Sequence, residues 1–582
     1  AHSPSRIYVA SQRLWKSEDR GDSWVAISED LTRNEERFDL PIMGRKQSFV
    51  NSWDVYAMSN YNTITSIAES PKNQKIIYVG TDDGLFQMTD DGGENWNTLD
   101  IKKLTGVPER AYINDIKADL FDENKVYMAI DNHKAGDYKP YLFVSTNKGK
   151  SWKSIASNLP ENHYVWRIVQ DHKKPELLFV GTEFGLFFTP DAGEHWKQIK
   201  SGVPNVSFRD LAIQRREDDL VAASFGRSIY ILDDYSFLRE VTAELIEKDA
   251  AILPMRDALL YLPKQNGQGN NGSLGAQHFV AKNPEFGAVF TYYLKESQET
   301  KSTIRTKAEK EENKNGKDID FAGWDVLLSE KDQAKMQHWA MIKDNKGAVV
   351  RKGQVPSGKG FHRVAWNLRG ENRMPINKGA KVDGNKNGGF LLGPGEYSVT
   401  IYQLLDGEVS AVTASQSFNV KQLYKSTLPT KNNSIKDGFL SRYMEVVGRK
   451  DLFMYDYSQA KKNASSLELA IKRTPKSIGL LENEMADLRK ELRNMELALY
   501  GNPLKSEVGE KNNTSLDERI WAAAGSLWGS AYGPTTTAEQ SLAVASAELS
   551  EYEKKMAVIQ LKVQSIYTEL KTAGAPPIKG ME

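Results

Sequence analysis

Asp115 and Asp210 occupy matching places in two strand-like segments, "YINDIKA" and "FRDLAIQ". A facing pair of carboxylates is the machinery of glycoside hydrolysis, one group acting as acid and the other as nucleophile or base. Retention needs the pair about 5–5.5 Å apart and inversion about 6.5–9.5 Å. Further acids stand beside tryptophans in four copies of one pattern: Ser17-x-Asp19-x-Gly21-x-Ser23-Trp24, Thr89-x-Asp91-x-Gly93-x-Asn95-Trp96, Ser145-x-Asn147-x-Gly149-x-Ser151-Trp152 and Thr189-x-Asp191-x-Gly193-x-His195-Trp196. Acid and indole together suit a sugar site. They also suit a turn, because a hydroxyl and a carboxylate at these positions can take up backbone N–H groups while glycine supplies positive φ. Recurrence favours the turn.

The elements around the pattern repeat with it. The copies start 72, 56 and 44 residues apart, and the shortest interval suits one four-stranded blade of about 40–45 residues. Each copy follows a strand ending in a polar turn ("ITSIAESPKN", "INDIKADLFDEN", "WRIVQDHKKP", "LAIQRREDD"), a second strand and a third. The pattern then turns the chain into a fourth strand beginning at Trp. Residues 1–240 therefore predict a β-propeller array of five blades. The first opens at its second strand, "RIYVA", and the last, "SFGRSIYILDDYSF", lacks the pattern.

These copies resemble the Asp-box (BNR) repeat of sialidases, sortilin-type propellers and xyloglucanase-type glycoside hydrolases. The segments "ISEDLTRN", "GTDDGLFQMTDDGGENW", "KPYLFVSTNKGKSW", "GTEFGLFFTPDAGEHW" and "ASFGRSIYILDD", in that order, are similar to a bacterial family labelled sortilin-like or glycosyl-hydrolase BNR-repeat. The resemblance implies further blades upstream, so that this chain is the C-terminal portion of a longer protein. It also implies an immunoglobulin-like module, matched by "NPEFGAVFTYYL", "GFHRVAWNL" and "GPGEYSVTI". A sialidase would need three arginines converging on a carboxylate and a Tyr–Glu pair, and no such grouping stands out.

Residues 241–422 alternate short strands with turn signals, including Asn345-Lys346-Gly347 and Asp406-Gly407, and predict a small antiparallel β-sandwich. A charged insert at about 296–320 reads as a solvated loop or frayed helix. Residues 430–575 are helical. Ile478, Leu481, Met485, Leu488, Leu492, Met495 and Leu499 form one heptad seam, and Leu542, Ala545, Leu549, Tyr552, Met556, Ile559, Val563, Ile566 and Leu570 another. Two seams in succession predict an antiparallel helical hairpin, completed to a bundle by a helix over about 434–472 and a shorter one at "SLDERIWAAAGSLW". Thr537 with Gln540 forms a capping box.

Composition narrows the function. Of 582 residues, Lys plus Arg and Asp plus Glu each number 77, which gives no electrostatic footprint for nucleic acid. No apolar run is long enough to span a bilayer. With no cysteine, thiolate catalysis and cysteine-bound metals are excluded, and eight scattered histidines offer no metal spacing. The loop "DGNKNGG" fails as a calcium loop because Pro394 stands where a bidentate Glu is required. Neither metal nor cofactor is expected.

Propeller ligands meet the mouth of the channel. Aligning the inner strands puts Asp115, Trp166-Arg167 and Arg209-Asp210 there, and the turns between second and third strands add Asp82, Asp83, Glu183, Phe184 and Arg227, with His133 and Tyr138 on an insertion. The expected function is binding of a protein, peptide or glycan by a secreted or cell-surface protein of a bacterial envelope. The helical domain would be the contact to other envelope subunits. The rival is a glycoside hydrolase with Asp115 and Asp210 as its acid/base pair.

Overall fold

The runs "IIYVG" and "LLFVG" are apolar without alternation because the strands they form are covered on both faces. Every residue of Ile77–Thr81 and of Leu178–Thr182 is buried. The computed structural model describes residues 2–42, 44–50, 55, 60–262, 281, 283–296, 299–334, 336–371, 376, 389, 391–405, 407–424, 431, 433–475, 479–528 and 532–581. They divide into two units, Ala1–Glu247 and Lys248–Glu582.

The first unit is a succession of five antiparallel sheets, each a meander in chain order. The first holds Ile7–Ala10, Leu14–Ser17 and Val25–Ala26. The second to fourth are four-stranded and begin at the inner strands Ile64–Glu69, Tyr112–Ala118 and Val165–Gln170. The fifth has three strands from Phe208–Gln214 on, and a short 3-10 helix at Tyr235–Glu240 follows its last strand. Each sheet packs on the next through its own apolar core. Leu14 and Leu31 meet Ile77 and Val79; Phe86 meets Ile113 and Met128; Leu142 meets Val180 and Trp196; Phe179 meets Phe208 and Tyr235.

The four Asp-box patterns close the turns between third and fourth strands in one geometry. Thr189 Oγ1 accepts the Gly193 N–H at 3.0 Å, and Asp191 Oδ1 accepts the His195 N–H at 2.9 Å. The corresponding bonds recur at Ser17/Asp19, Thr89/Asp91 and Ser145/Asn147. Hydrogen bonds from Ser23 hold the Asp19 carboxyl well below the usual carboxylate range, and those from Asn95 do the same to Asp91. The turn also faces the preceding sheet. The Trp96 and Trp196 indole N–H groups donate to the Ile27 and Ile155 carbonyls, at 3.1 and 2.7 Å. Gly93 and Gly193 have positive φ, and a Cβ on either would come within 2.7 Å of those same two isoleucines. Trp152 instead donates to the Gly149 carbonyl of its own turn and edges Phe86 of the sheet before it. Trp24, in the first sheet, is 38 % exposed.

In the second unit, a three-stranded sheet (Ala250–Ile252, Ala288–Leu294, Gly360–Trp366) and a six-stranded one centred on Gly395–Leu405 share one core that includes Phe290, Tyr292, Ile342, Val399, Ile401 and Phe418. Pairing is not wholly antiparallel, since Ala258–Leu260 runs parallel to Gln416–Gln422. The turn at Asn345-Lys346-Gly347 is tied by Asp344, whose carboxylate accepts the Lys346 and Ala348 N–H groups at 2.9 Å each. The charged insert forms a helix, α1 (Lys301–Lys314), with no buried residue. Arg305 straps it to α2 (Trp324–Asp332) through Glu330 at 2.8 Å. Asp406, Ile478 and the rejected calcium loop at Asp383, Asn385 and Asn387 lie outside the described residues.

The helical segment comprises α3 (Asn433–Arg473), α4 (Gly479–Tyr500), α5 (Leu516–Trp528) and α6 (Thr536–Thr572). The seams of α4 and α6 bury in one cluster together with Phe439, Val446 and Leu467 of α3 and Ile520 and Ala523 of α5. They share that one core with α3 and α5. The cap of α6 lies two residues before the expected one: Thr535 accepts the Ala538 N–H at 3.1 Å, directly after Gly533-Pro534. Among the described residues, no helix is long and apolar enough to cross a membrane.

The inter-sheet indoles give a direct test. Trp196→Ala removes a side chain only 4 % exposed and its bond to Ile155, so unfolding of the first unit in urea is expected to become easier by about 3–5 kcal/mol. Trp24→Ala is expected to cost less than about 1 kcal/mol. Equal costs at both positions would contradict the role given to the inter-sheet contact.

Candidate functional site

Because the Asp-box turns lie at one end of the strands, the turns between second and third strands, together with the starts of the inner strands, define the opposite face. The chain prepares that face with one recurring irregularity. In all four complete inner strands the ladder slips by one residue at the same place: between Ile64 and Ser66, Ile113 and Asp115, Val165 and Arg167, and Phe208 and Asp210. The unpaired residues are Thr65, Asn114, Trp166 and Arg209. A β-bulge re-aims a side chain and ends regular pairing, which is how a strand end can present a group to a ligand. Close approach of the next sheet at this level requires glycine in the second strand: a Cβ on Gly181 would lie 2.5 Å from the Phe208 carbonyl oxygen.

Two of the four bulge residues stitch sheet to sheet. Thr65 Oγ1 donates to the Ile113 carbonyl at 2.9 Å, and Asn114 Nδ2 to the Val165 carbonyl at 3.0 Å. Ser66 Oγ adds a bond to Ile113 O at 3.2 Å, and Asp115 Oδ2 accepts the Ile168 N–H at 3.0 Å. Backbone groups on the inward edges of the third and fourth sheets are thus taken by side chains of the sheet before.

The other two bulge residues build a row of rings across the third to fifth sheets. The Arg209 guanidinium lies 3.5 Å from the Trp166 ring centroid and 4.8 Å from that of Phe225. Trp166 edges Tyr164 at 5.1 Å and His133 at 5.6 Å; His133 stacks on Tyr164 at 5.0 Å, and Tyr138 lies beyond Tyr164 at 6.2 Å. Each end of the row is open, with Tyr138 48 % and Phe225 70 % exposed. Polar partners fix the interior: the Trp166 N–H donates to Glu183 Oε2 at 2.8 Å, and His133 is bonded to Asp131. Burial pushes the Tyr164 phenol above its ordinary value and His163 below its own. Phe184, exposed, edges His163 at 5.7 Å, and Arg227 is exposed on the turn beyond Phe225.

The two candidate catalytic carboxylates meet a single cation. Arg167 Nη1 lies 3.2 Å from Asp115 Oδ1, and its Nε lies 3.2 Å from Asp210 Oδ1. Asp115 is buried, with Lys117 at 3.6 Å as a further neighbour, and burial pushes its carboxyl up. Asp210 is exposed and also accepts the Leu211 N–H at 2.9 Å. A guanidinium therefore occupies the position between them.

Asp82 and Asp83 are turned inward. Asp83 is fully buried and accepts the Arg33 N–H at 2.7 Å, while Arg33 Nε donates back to the Asp83 carbonyl at 2.7 Å. Arg33 also pairs with Asp100 at 2.7 Å, and Thr81 donates to the Asp83 carboxylate. The pair anchors the segment that follows the first sheet over the second. Asp82 accepts the Thr63 N–H at 2.8 Å, and burial pushes its carboxyl up to about 6.

Sequence reasoning named Trp166, Arg209, Glu183 and Phe184 separately, and did not name Tyr164, His163 or Phe225. Phe225 was available by position, because it follows Ser224 as Asp82 follows Thr81 and Glu183 follows Thr182. On the Asp-box face, Asp191, Glu194 and His195 place possible metal-ligand atoms within 4.8 Å of one another. His195 Nδ1 and Asp191 Oδ2 there already share a hydrogen bond of 2.8 Å.

Meandering sheets stacked face to face, with a ring-lined end built from inner-strand bulges, define the class as a blade-type β array. No family model matches the chain, and no curated protein matches it. Among solved structures it is similar to YCF48 bound to D1 peptide, at 17 % identity and a TM-score of 0.23, covering 29 % of this chain and 51 % of that one. It is also similar to an ancestral GH74 enzyme, at 15 % identity and TM-score 0.30, covering 74 % and 47 %. A third is the extracellular domain of a hybrid two-component system from B. thetaiotaomicron, at 9 % identity and TM-score 0.29, covering 72 % and 43 %. The chain spans about half the length of each of these.

The buried carboxyl of Asp82 predicts a pH dependence. A folded-state value near 6, above the unfolded one, means that the folded chain holds this proton more tightly, so its contribution to stability falls as pH rises from about 4 to 6. Asp82→Asn keeps the acceptor for Thr63 and removes the charge. The variant is expected to exceed the parent by about 1–3 kcal/mol at pH 7 and to match it near pH 4, in chemical denaturation at both values. A gain that does not change with pH would contradict this account.

Proposed function

We propose that the chain is a binding protein whose ligand lies across the bulge face of the third to fifth sheets. The observation that carries this reading is the row from Tyr138 through Trp166 and Arg209 to Phe225, laid over the buried Tyr164, which presents ring surfaces and polar tips at a sheet end. Blade-type arrays commonly bind at such an end. The ligand class is a polymer, peptide or glycan, long enough to touch three sheets. By its sequence resemblance to bacterial Asp-box proteins, the setting we propose is extracytoplasmic, at the cell surface or secreted. The helical segment is then a spacer or a contact to envelope partners.

Hydrolysis is the second reading, and one observation favours it: Asp115 and Asp210 converge on one residue, Arg167. Against it, Asp115 is buried and bonded to a backbone N–H, which leaves it no path to a leaving group. Both readings are tested with the same panel of immobilised polysaccharides and peptides. Tyr138→Ala with Trp166→Ala is expected to abolish retention, and Asp210→Asn is expected to leave retention intact with no reducing sugar released by either form. Sugar release by the parent that Asp210→Asn abolishes would establish the enzyme instead.

A further inference from the structure

Arg209 is the one member of the row that carries a formal charge, and its surroundings leave that charge unspent. Its Nε donates to Ser207 Oγ at 3.0 Å, and its Cζ lies over both the Trp166 and the Phe225 rings. Among the described residues its terminal nitrogens have no hydrogen-bond or ion-pair partner. The neighbouring acids are committed elsewhere: Asp210 to Arg167, and Glu183 to the Trp166 indole. A guanidinium held by Ser207 and by contact with two rings has given up rotamer freedom before any ligand arrives, and the fork of its terminal nitrogens matches the two oxygens of a carboxylate. Stacking on Trp166 also offsets part of the cost of drying it.

The same face discriminates between two polymer classes. A peptide that adds itself as a strand needs free backbone groups on an edge. At the bulge level these are already taken: Ile113 O by Thr65 and Ser66, Val165 O by Asn114, and Ile168 N–H by Asp115. What remains outward is ring surface, phenol, imidazole and guanidinium, which suits a chain of hydroxylated rings. We propose that Arg209 is the carboxylate-binding group of this face and that the ligand is a uronate-bearing glycan. This rests on the binding reading above and adds the chemistry of its ligand.

The test uses the whole chain, titrated calorimetrically with a short oligogalacturonate, its methyl ester, a neutral cello-oligosaccharide and an oligoglutamate peptide. The uronate is expected to bind, with affinity that falls as salt rises, and esterification is expected to weaken it by about 10-fold to 100-fold, the range of one charge-assisted hydrogen-bond pair. Arg209→Lys keeps the charge but not the planar fork, and is expected to lose at least about tenfold while melting at the parent temperature. Binding of the ester and the neutral sugar as tight as that of the uronate, with Arg209→Lys silent and Trp166→Ala disruptive, would overturn the carboxylate inference and leave the binding face standing. Binding of oligoglutamate in place of the uronate would overturn it in favour of an acidic peptide. Failure of all four probes to bind would overturn it as well. If a probe binds and Trp166→Ala leaves its affinity unchanged, the binding face falls with it.

Discussion

An indole N–H of one sheet meeting a backbone carbonyl of the sheet before it is the contact on which the first unit depends. Trp96 with Ile27 and Trp196 with Ile155 set both the distance and the rotation between neighbours, and the two glycines beside them admit that distance. Once the spacing is fixed, the strands between are buried on both sides and need no alternation. In the second and fourth sheets the Asp-box carboxylate stiffens the turn that delivers the indole to this carbonyl, whereas Trp152 bonds within its own turn and edges Phe86. The carboxylate's low proton affinity follows from the bonds it accepts rather than from any neighbouring cation.

The far end of the same strands serves a different purpose. There the ladder slips in every complete inner strand, and the freed residue either bonds to the next sheet or turns outward. Thr65 and Asn114 bond; Trp166 and Arg209 turn outward and stack on each other. The Arg167 bridge belongs with the bonding residues, since it ties the inner strand of the third sheet to that of the fifth through Asp115 and Asp210. Two carboxylates that suggest catalysis on paper are, in the folded chain, the two anchors of one cation.

Much of this was legible in the sequence, and the exceptions have physical causes. Spacing alone identified the fasteners, because a turn needing a hydroxyl, a carboxylate, a glycine and an indole leaves a fixed pattern. Strand alignment placed Trp166-Arg167 and Arg209-Asp210 at one end. The bulge itself was invisible, since an unpaired residue leaves no mark on composition, and so was the stacking that it permits. Asp83 read as a surface acid because its cover, Arg33, comes from the neighbouring sheet, fifty positions earlier. In the helical segment the heptad seams were plain, and their residues lie in one core with those of α3 and α5.

A bulged residue is outside the ladder, so replacing it alters neither strand register nor the alternation of buried side chains. The outward-facing side chains of the fourth and fifth sheets and the turn fasteners are therefore written at separate addresses along the chain. One substitution in each of the fourth and fifth sheets, at positions 166 and 209, is enough to redraw the chemistry of that end while the fasteners at the other end, and the inter-sheet bonds of Thr65 and Asn114, stay as they are. A chain arranged this way can change the chemistry of one end by point changes alone, and descendants that differ there would still share the same turns.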